Sequence, residues 1–481
     1  MTLVAGVDSS TQSTKVEVRD AASGALVASG RAPHPPVGSP RSEQDPNAWW
    51  DAFEIAWADA GAPSIDAISV SAQQHAMVTL DRSRAVIRPA KLWNDTESAA
   101  DAARLTDRLD GGASAWVDAC GSVLRAAFTI TKLAWLQRTE PDAWARLASV
   151  CLPHDWLTMR LSGELVTDRG DASGTGYWSP KEGRYRTDLL DLVDGDRDWP
   201  TMLPPVLGPT DVAGRWSGAL VAPGTGDNMA AALGLGLLPG DVAISIGTSG
   251  TVFTVSEQPS TDPTGAVAGF ADATGRFLPL VCTLNATKVT DAVARLLGVD
   301  ASGLDSLALS APTGAGGLTL LPYLDGERTP DRPDASGLLA GLRSDITREQ
   351  VARAAFEGVV CGLLDGLDAL TATAPTAGRL LVVGGGARST AYRQILADLS
   401  GREVYTVDLD EAVATGACVQ AAAVAGSTTP DAVRRAWSAV RSTCTEPTDD
   451  SVTAPGRATP GGATRGEVRA AYAAVCELAD Q

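Results

Sequence analysis

A strand-turn-strand pattern occurs twice in this chain, and that repetition constrains the fold more than any other feature. The first copy runs Val4-Ala5-Gly6-Val7, then Asp8-Ser9-Ser10-Thr11-Gln12-Ser13-Thr14-Lys15, then Val16-Glu17-Val18. The second runs Ala243-Ile244-Ser245-Ile246, then Gly247-Thr248-Ser249-Gly250-Thr251, then Val252-Phe253-Thr254-Val255. Each copy joins two β-prone runs through a turn of small and hydroxyl residues, the pattern of a hairpin. Backbone N–H groups in such a turn can approach an anion closely, and hydroxyls add donors. Two such turns facing each other would grip one polyphosphate from both sides. Ser10, Thr11, Gln12 and Lys15 of the first hairpin and Gly247, Thr248 and Ser249 of the second are therefore the candidate phosphate contacts.

The remaining pattern mixes strands and helices, as in an α/β chain. Asp45-Pro46 opens a helix carrying Trp49, Trp50, Phe53 and Trp57, and residues 65–70 read as a buried strand. Val78 to Leu80 and Leu92-Trp93 suggest further strands, and residues 129–139 a helix stopped by Pro141. Residues 168–186 are rich in glycine and charge and poor in large apolar side chains, so a surface excursion is expected there. Gly240 marks a boundary before the second hairpin. Beyond it, helices are expected near 289–297 and 348–372, and a strand at 318–322. A strand at 380–383 runs into Gly384-Gly385-Gly386-Ala387-Arg388-Ser389 and a helix, and another helix is expected near 411–425. Residues 445–465 are Pro-, Thr- and Gly-rich and expected to be loose, ahead of a short helix near 468–478. The expected division is 1–238, 239–430 and a tail at 431–481.

Composition narrows the function classes. A chain of 481 residues can build two or three full cores, and a net charge of −19 argues against a broad basic face for nucleic acid or anionic lipid. No apolar run reaches the roughly 18 residues of a membrane span, and Met1-Thr2-Leu3-Val4 lacks the basic start of a secretory leader. Seven scattered cysteines without a CxxC pair and only three histidines point to reduced thiols in a cytoplasm and against structural zinc.

Several side chains carry candidate chemistry. Gly385, Gly386 and Ala387 lie between a strand and a helix, where close approach and free N–H groups suit a nucleotide. Asp8 ends the first strand beside the phosphate turn; an acid there fits a partner of Mg²⁺, held through water, or an Asx-turn. Asp227 precedes a small-residue helix and is either its N-cap or a base for a substrate hydroxyl, with Asn228 beside it. Gln73, Gln74 and His75 follow the 65–70 strand, and Trp93-Asn94-Asp95 offers an apolar wall with polar heads, as polyol sites do. His154-Asp155 is a further polar contact or a turn.

These strings together resemble the FGGY family of carbohydrate kinases, from about residue 4 to about 425. The resemblance rests on Ser42-Glu43-Gln44-Asp45-Pro46 with Trp49-Trp50, Leu92-Trp93-Asn94-Asp95, and Phe128-Thr129 with Lys132-Leu133. It continues in Gly226-Asp227-Asn228, Ser245 to Gly250, Leu321-Pro322-Tyr323 with Gly326 to Pro330, and Gly384 to Ser389. It implies two actin-like, ribonuclease-H-like domains flanking a catalytic cleft. It also implies ATP with Mg²⁺, Asp227 as proton acceptor, and Asp8 as a second catalytic and metal-supporting group. Gln74, His75, Trp93, Asn94, Asp227 and Asn228 are then the sugar contacts. Gln-x-His at 73–75 and Trp-Asn-Asp at 93–95 favour the members that phosphorylate D-xylulose; another pentulose, gluconate or a polyol is the alternative, and a non-catalytic sugar sensor is the rival from another class. Partners are expected to be sugar and ATP, without nucleic acid or membrane, in a monomer or homodimer. Two departures stand out: Ser10 where many members have Gly, and Gln74-His75-Ala76 where the pair is often Met-His followed by Gly.

Overall fold

A computed structural model describes residues 1–38, 40–437, 442–448 and 462–479. Most of the 445–465 segment lies outside the described residues. The chain divides into two units: Met1–Leu237 with Val255–Pro279 and Leu409–Val440, and Leu238–Thr254 with Leu280–Asp408 and Arg441–Gln481. The first unit thus takes two stretches from the second half of the sequence.

In the first unit a mixed sheet runs in the order Gly214–Trp216, Ala219–Val221, Ala67–Ala72, Leu3–Ser9, Ser13–Asp20, Leu26–Pro33, and Thr225–Gly226 also pairs with Ala67–Ala72. Leu3–Ser9 is antiparallel to Ser13–Asp20 and parallel to Ala67–Ala72. It is buried on both faces, which is why it reads as a continuous apolar run rather than an alternating one. The helix Pro46–Asp59, started by Asp45 accepting from the Asn47 N–H, covers one face with Trp49, Phe53 and Ala56. The helix Ala412–Ala425 packs on the first strand so closely that a Cβ on Gly6 would overlap the Ala414 carbonyl. This helix is nearly all small residues, and none of its small side chains holds the two backbones apart.

The second unit repeats the plan. Within it the sheet strands Gly250–Thr254, Val242–Ile246, Leu380–Val383, Val404–Val407 and Ser442–Thr445 lie side by side in that order. Val242–Ile246 is antiparallel to Gly250–Thr254 and parallel to Leu380–Val383, as the first strand of the first unit is to its neighbours. The duplicated hairpin of the sequence is therefore a duplicated half-sheet. The 26-residue helix Arg348–Thr373 backs this sheet, opened by a capping box between Thr347 and Gln350.

Three local expectations change. Leu92-Trp93 is not a strand; the short strand is Ala90–Lys91. The Gly-rich loop enters a 3₁₀ turn, Gly385–Arg388, before the helix Thr390–Ser400 capped by Ser389. Residues 171–180 are buried throughout instead of forming a surface excursion. Their small residues allow close packing, and their hydroxyls are satisfied locally, Ser173 donating to the Gly170 carbonyl and Thr175 to that of Ala172. No helix among the described residues is long and apolar enough to cross a membrane.

Candidate active site

Three parallel strands of the first unit end side by side. Asp8 is in register with Ser71, and Ser71 with Thr225. Asp8, the Gln73-Gln74-His75 loop and Asp227 therefore emerge together at the carboxyl ends of neighbouring strands, where α/β sheets place their ligands.

Asp227 is the first residue of the helix Asp227–Gly234, and Gly226 occupies the N-cap, so the capping reading of Asp227 does not hold. Its Oδ1 accepts from the Asn228 backbone N–H at 2.7 Å and from Asn228 Nδ2 at 2.8 Å. Asn228 Nδ2 also donates to Gln74 Oε1 at 2.9 Å. Gln74 is thus a buried brace for Asn228. Burial, followed by the negative charges of Asp8 and Asp171, pushes the Asp227 carboxyl up to about 7. An ordinary aspartate is a weak base near neutrality; one tuned to about 7 is matched to the task.

His75 has a backbone φ of +67°, rare for a residue with a Cβ, and the Ala76 N–H donates to the Gln74 carbonyl across it. Such a three-residue turn is strained and persists where the surroundings impose it. Here Thr129 Oγ1 and the buried Lys132 Nζ both donate to the His75 carbonyl at 3.1 Å. The ring lies against Phe128 and Phe270, and its Nδ1 donates to the Gly174 carbonyl at 2.7 Å.

The first hairpin turn holds itself together. Ser10 Oγ donates to the Ser13 carbonyl and accepts from the Ser13 N–H, so serine closes a turn that needs no glycine φ. The Thr11 hydroxyl links Trp93 Nε1 at 3.0 Å to Gln73 Oε1 at 3.1 Å, which ties the turn to the polar loop. Gln12 is exposed, and Asn94 has a buried Oδ1 without a hydrogen-bond partner.

Asp8 is 2% exposed. Lys15 Nζ donates to its Oδ2 at 3.2 Å and to Glu411 Oε2 at 2.6 Å. Burial raises the Asp8 carboxyl against the pull of Lys15. Burial pulls the Lys15 ammonium down, but Asp8 and Glu411 outweigh it and hold it above its ordinary value. Asp8 Oδ1 is buried without a hydrogen-bond partner. One buried carboxylate oxygen in need of a partner fits a hydrated Mg²⁺, which keeps most of its own waters. The one group of three carboxylates within metal-ligating reach among the described residues, Glu43, Asp95 and Glu97, is already filled. Lys91 Nζ sits among them at 3.1, 2.9 and 2.5 Å.

In the second unit the Gly247–Ser249 turn is partly exposed, and its carbonyls receive the N–H groups that open the next helix, Ala286 to Thr248 and Thr287 to Gly247. Gly386 lies against Ile246 so tightly that a Cβ would overlap it. Gly385 and Gly386 line a cavity of about 560 Å³ with Phe356, Tyr392, Ser389 and Asp305. That volume lies in the range of roughly 300–1,000 Å³ usual for small-molecule sites. Ala387 is next to it in sequence and is not one of its lining residues. A second cavity of about 440 Å³, against the C-terminal helix, contains none of the anticipated site residues.

Comparison with known proteins decides the family. The FGGY carbohydrate-kinase N-terminal domain matches residues 3–234 and the C-terminal domain residues 242–425. The chain belongs to the FGGY family of carbohydrate kinases. A curated FGGY relative, the xylulose kinase of Streptomyces coelicolor, is 50% identical over 90% of this chain and 90% of its own. The crystal structure of xylulose kinase from Bifidobacterium adolescentis is 41% identical, with a TM-score of 0.85 over 99% of both chains. Gluconate kinase from Lactobacillus acidophilus, 23% identical, shares the fold with a TM-score of 0.89 over 100% of this chain and 98% of its own. Fold alone therefore does not choose the sugar.

Sequence reasoning did not find Asp171, Glu411 or the buried role of His154. Glu411 is 396 positions from Lys15 and carries no local signal. Asp171 is hidden in a segment whose small residues mimic a loop.

Proposed function

We propose that this chain is an ATP-dependent xylulose kinase, moving the γ-phosphoryl group of ATP to the 5-hydroxyl of D-xylulose in the cytoplasm. The carrying observation is Asp227, tuned near 7 and braced by Asn228 and Gln74. The names of the relatives at 50% and 41% identity point to the same acceptor.

Asn228 occupies Asp227 Oδ1, so Oδ2 is assigned to the terminal hydroxyl. As the new O–P bond forms and the bond to the departing ADP oxygen breaks, Asp227 takes the hydroxyl proton. His75 and Asn94 contact the remaining sugar hydroxyls, and the Trp93 ring, its Nε1 held by Thr11, forms the apolar wall. Ser10, Gln12 and Lys15 of the first unit, and Gly247, Thr248 and Ser249 of the second, supply donors and charge to the phosphates. Gly385, Gly386 and Ala387 serve the adenosine. Asp8 would hold Mg²⁺ through water, and there the ion would supply neutralisation of charge on the transferring phosphoryl group. Most of the rate then comes from positioning and electrostatic stabilisation.

The test is a coupled ADP-release assay with D-xylulose, ribulose, gluconate and glycerol. D-Xylulose should give the highest kcat/KM; a better ribulose or gluconate substrate keeps the chemistry and overturns the acceptor. The same assay checks the base. Because Asp227 must be deprotonated to accept the proton, kcat/KM should fall about tenfold per unit below a pH of about 7. A flat profile between about pH 6 and 8 assigns the proton to another group.

A further inference from the structure

Beneath the Asp227 turn lies a buried ionic cluster that the reaction above does not use. His154, Asp155 and Asp171 are 0% exposed and Asp168 is 3% exposed. His154 Nδ1 meets Asp171 Oδ2 at 2.8 Å; its Nε2 lies 3.1 Å from Asp155 Oδ1 and 3.7 Å from Asp168 Oδ1. Burial alone would strip the proton from the imidazole, but Asp155, Asp171 and Asp168 outweigh it and keep it charged. These three carboxylates, one from the same helix and two from the 167–172 segment, are the charges that face it. Cys151, Tyr177 and Tyr185 border the carboxylates and stay neutral, each held far up by burial.

The cluster grips the site from two directions. On one side Asp168 Oδ2 accepts from Thr225 Oγ1 at 2.8 Å, and the imidazole edge fills the place where a Cβ on Gly224 would stand. Gly224 and Thr225 lead straight into Gly226-Asp227. On the other side the Gln74 amide lies by Asp171 and favours its charged form, although Nε2 closes no short hydrogen bond. Three residues on, the Gly174 carbonyl accepts from His75. One buried cation therefore anchors the strand that carries Asp227 and the segment that braces Gln74 and His75.

We propose that His154 is a positioning residue: clamped by Asp171, Asp155 and Asp168, it fixes the Gly224–Thr225 segment and residues 168–174 against each other so that His75 and Asp227, with its Asn228–Gln74 brace, meet the sugar as one rigid set. The inference rests on the sugar-kinase reading, and the experiment separates the two. Wild-type protein is assayed first with D-xylulose and ATP; no turnover sinks that reading alone. His154→Gln removes the Nδ1 contact to Asp171, whereas His154→Asn can still reach it. The sugar KM should rise about tenfold or more in His154→Gln, since a displacement near 1 Å costs on the order of 10²-fold. The ATP KM should stay within about twofold, and His154→Asn should recover part of the loss. An unchanged sugar KM, or an equal rise in both KM values, overturns the proposal. If neither variant folds, the wild type still decides. With three histidines in the chain, the His154 imidazole ¹⁵N signals are assignable. They should shift on saturation with D-xylulose and not with ATP; no sugar-dependent shift overturns the proposal.

Discussion

Asp227→Asn should lose about 10²–10⁴-fold in kcat and at the same time melt at a higher temperature than the wild type. Asparagine keeps the shape and still accepts from Asn228, so the sugar site should stay formed and the sugar KM should change little. What disappears is the group that takes the proton. The stability gain follows from the sign of the shift. In the unfolded chain Asp227 titrates at the ordinary aspartate value of 3.8; in the fold, burial with Asp8 and Asp171 raises it to about 7. A folded state that holds a proton more tightly than the unfolded state is favoured at low pH and loses that advantage as the pH rises through 7. At pH 8 the ionised, partly buried carboxylate is a cost that asparagine does not carry, roughly 1–2 kcal/mol after sharing with its neighbours. Thermal melts at about pH 5 and pH 8 check the sign, because the gain should be larger at the higher pH. A variant that is inactive and less stable at both would make Asp227 a structural residue.

The elements that carry their own local signals were legible in the sequence. The two hairpins, the Thr129–Thr139 helix and the Leu380–Val383 strand follow from apolar period, turn residues and proline stops. The residues around Asp227 were legible because short polar strings follow strands directly, at the place where a sheet leaves its strand ends open. What was hidden is long-range. Nothing near Glu411 announces Lys15, and nothing near Asp171 announces His154. A residue's pKa is set by neighbours that only the fold assembles, so Asp227 reads as an ordinary carboxylate until Asp8 and Asp171 stand beside it. Residues 171–180 misled for a related reason: glycine, serine and threonine mark loops when exposed, but the same residues permit close packing when their hydroxyls find local carbonyls. Gln74 also changes meaning. As a sequence it suggests a longer reach toward a sugar hydroxyl; in the fold its carbonyl oxygen is already committed to Asn228.

Gly416→Leu should be among the most destabilising single changes in the first unit. The helices Asp227–Gly234 and Ala412–Ala425 cross with reciprocal glycines at the contact: a Cβ on Gly416 would overlap the Ala230 carbonyl, and one on Gly234 would overlap the Ala412 carbonyl. Both obstacles are backbone, so neither can rotate away. Replacing a helical glycine by alanine normally gains about 1 kcal/mol in helix propensity, and overpacking a close contact costs about 1–3 kcal/mol or more. Overlap with backbone should win already for Gly416→Ala and decisively for Gly416→Leu, where the crossing must open. Gly466, in the helix Arg465–Leu478, is the control, because a Cβ there meets nothing within 4 Å. Gly466→Ala should be neutral or stabilising by up to about 1 kcal/mol. The functional consequence separates this contact from generic packing. The helix that Gly416 supports begins at Asp227, and its partner helix also packs on the first strand, which carries Asp8 near its end. Opening the crossing should therefore displace the base, and kcat should fall at temperatures well below the melt. A Gly416→Ala protein that melts like the wild type and turns over at the wild-type rate would show that the two helices can part without moving the site.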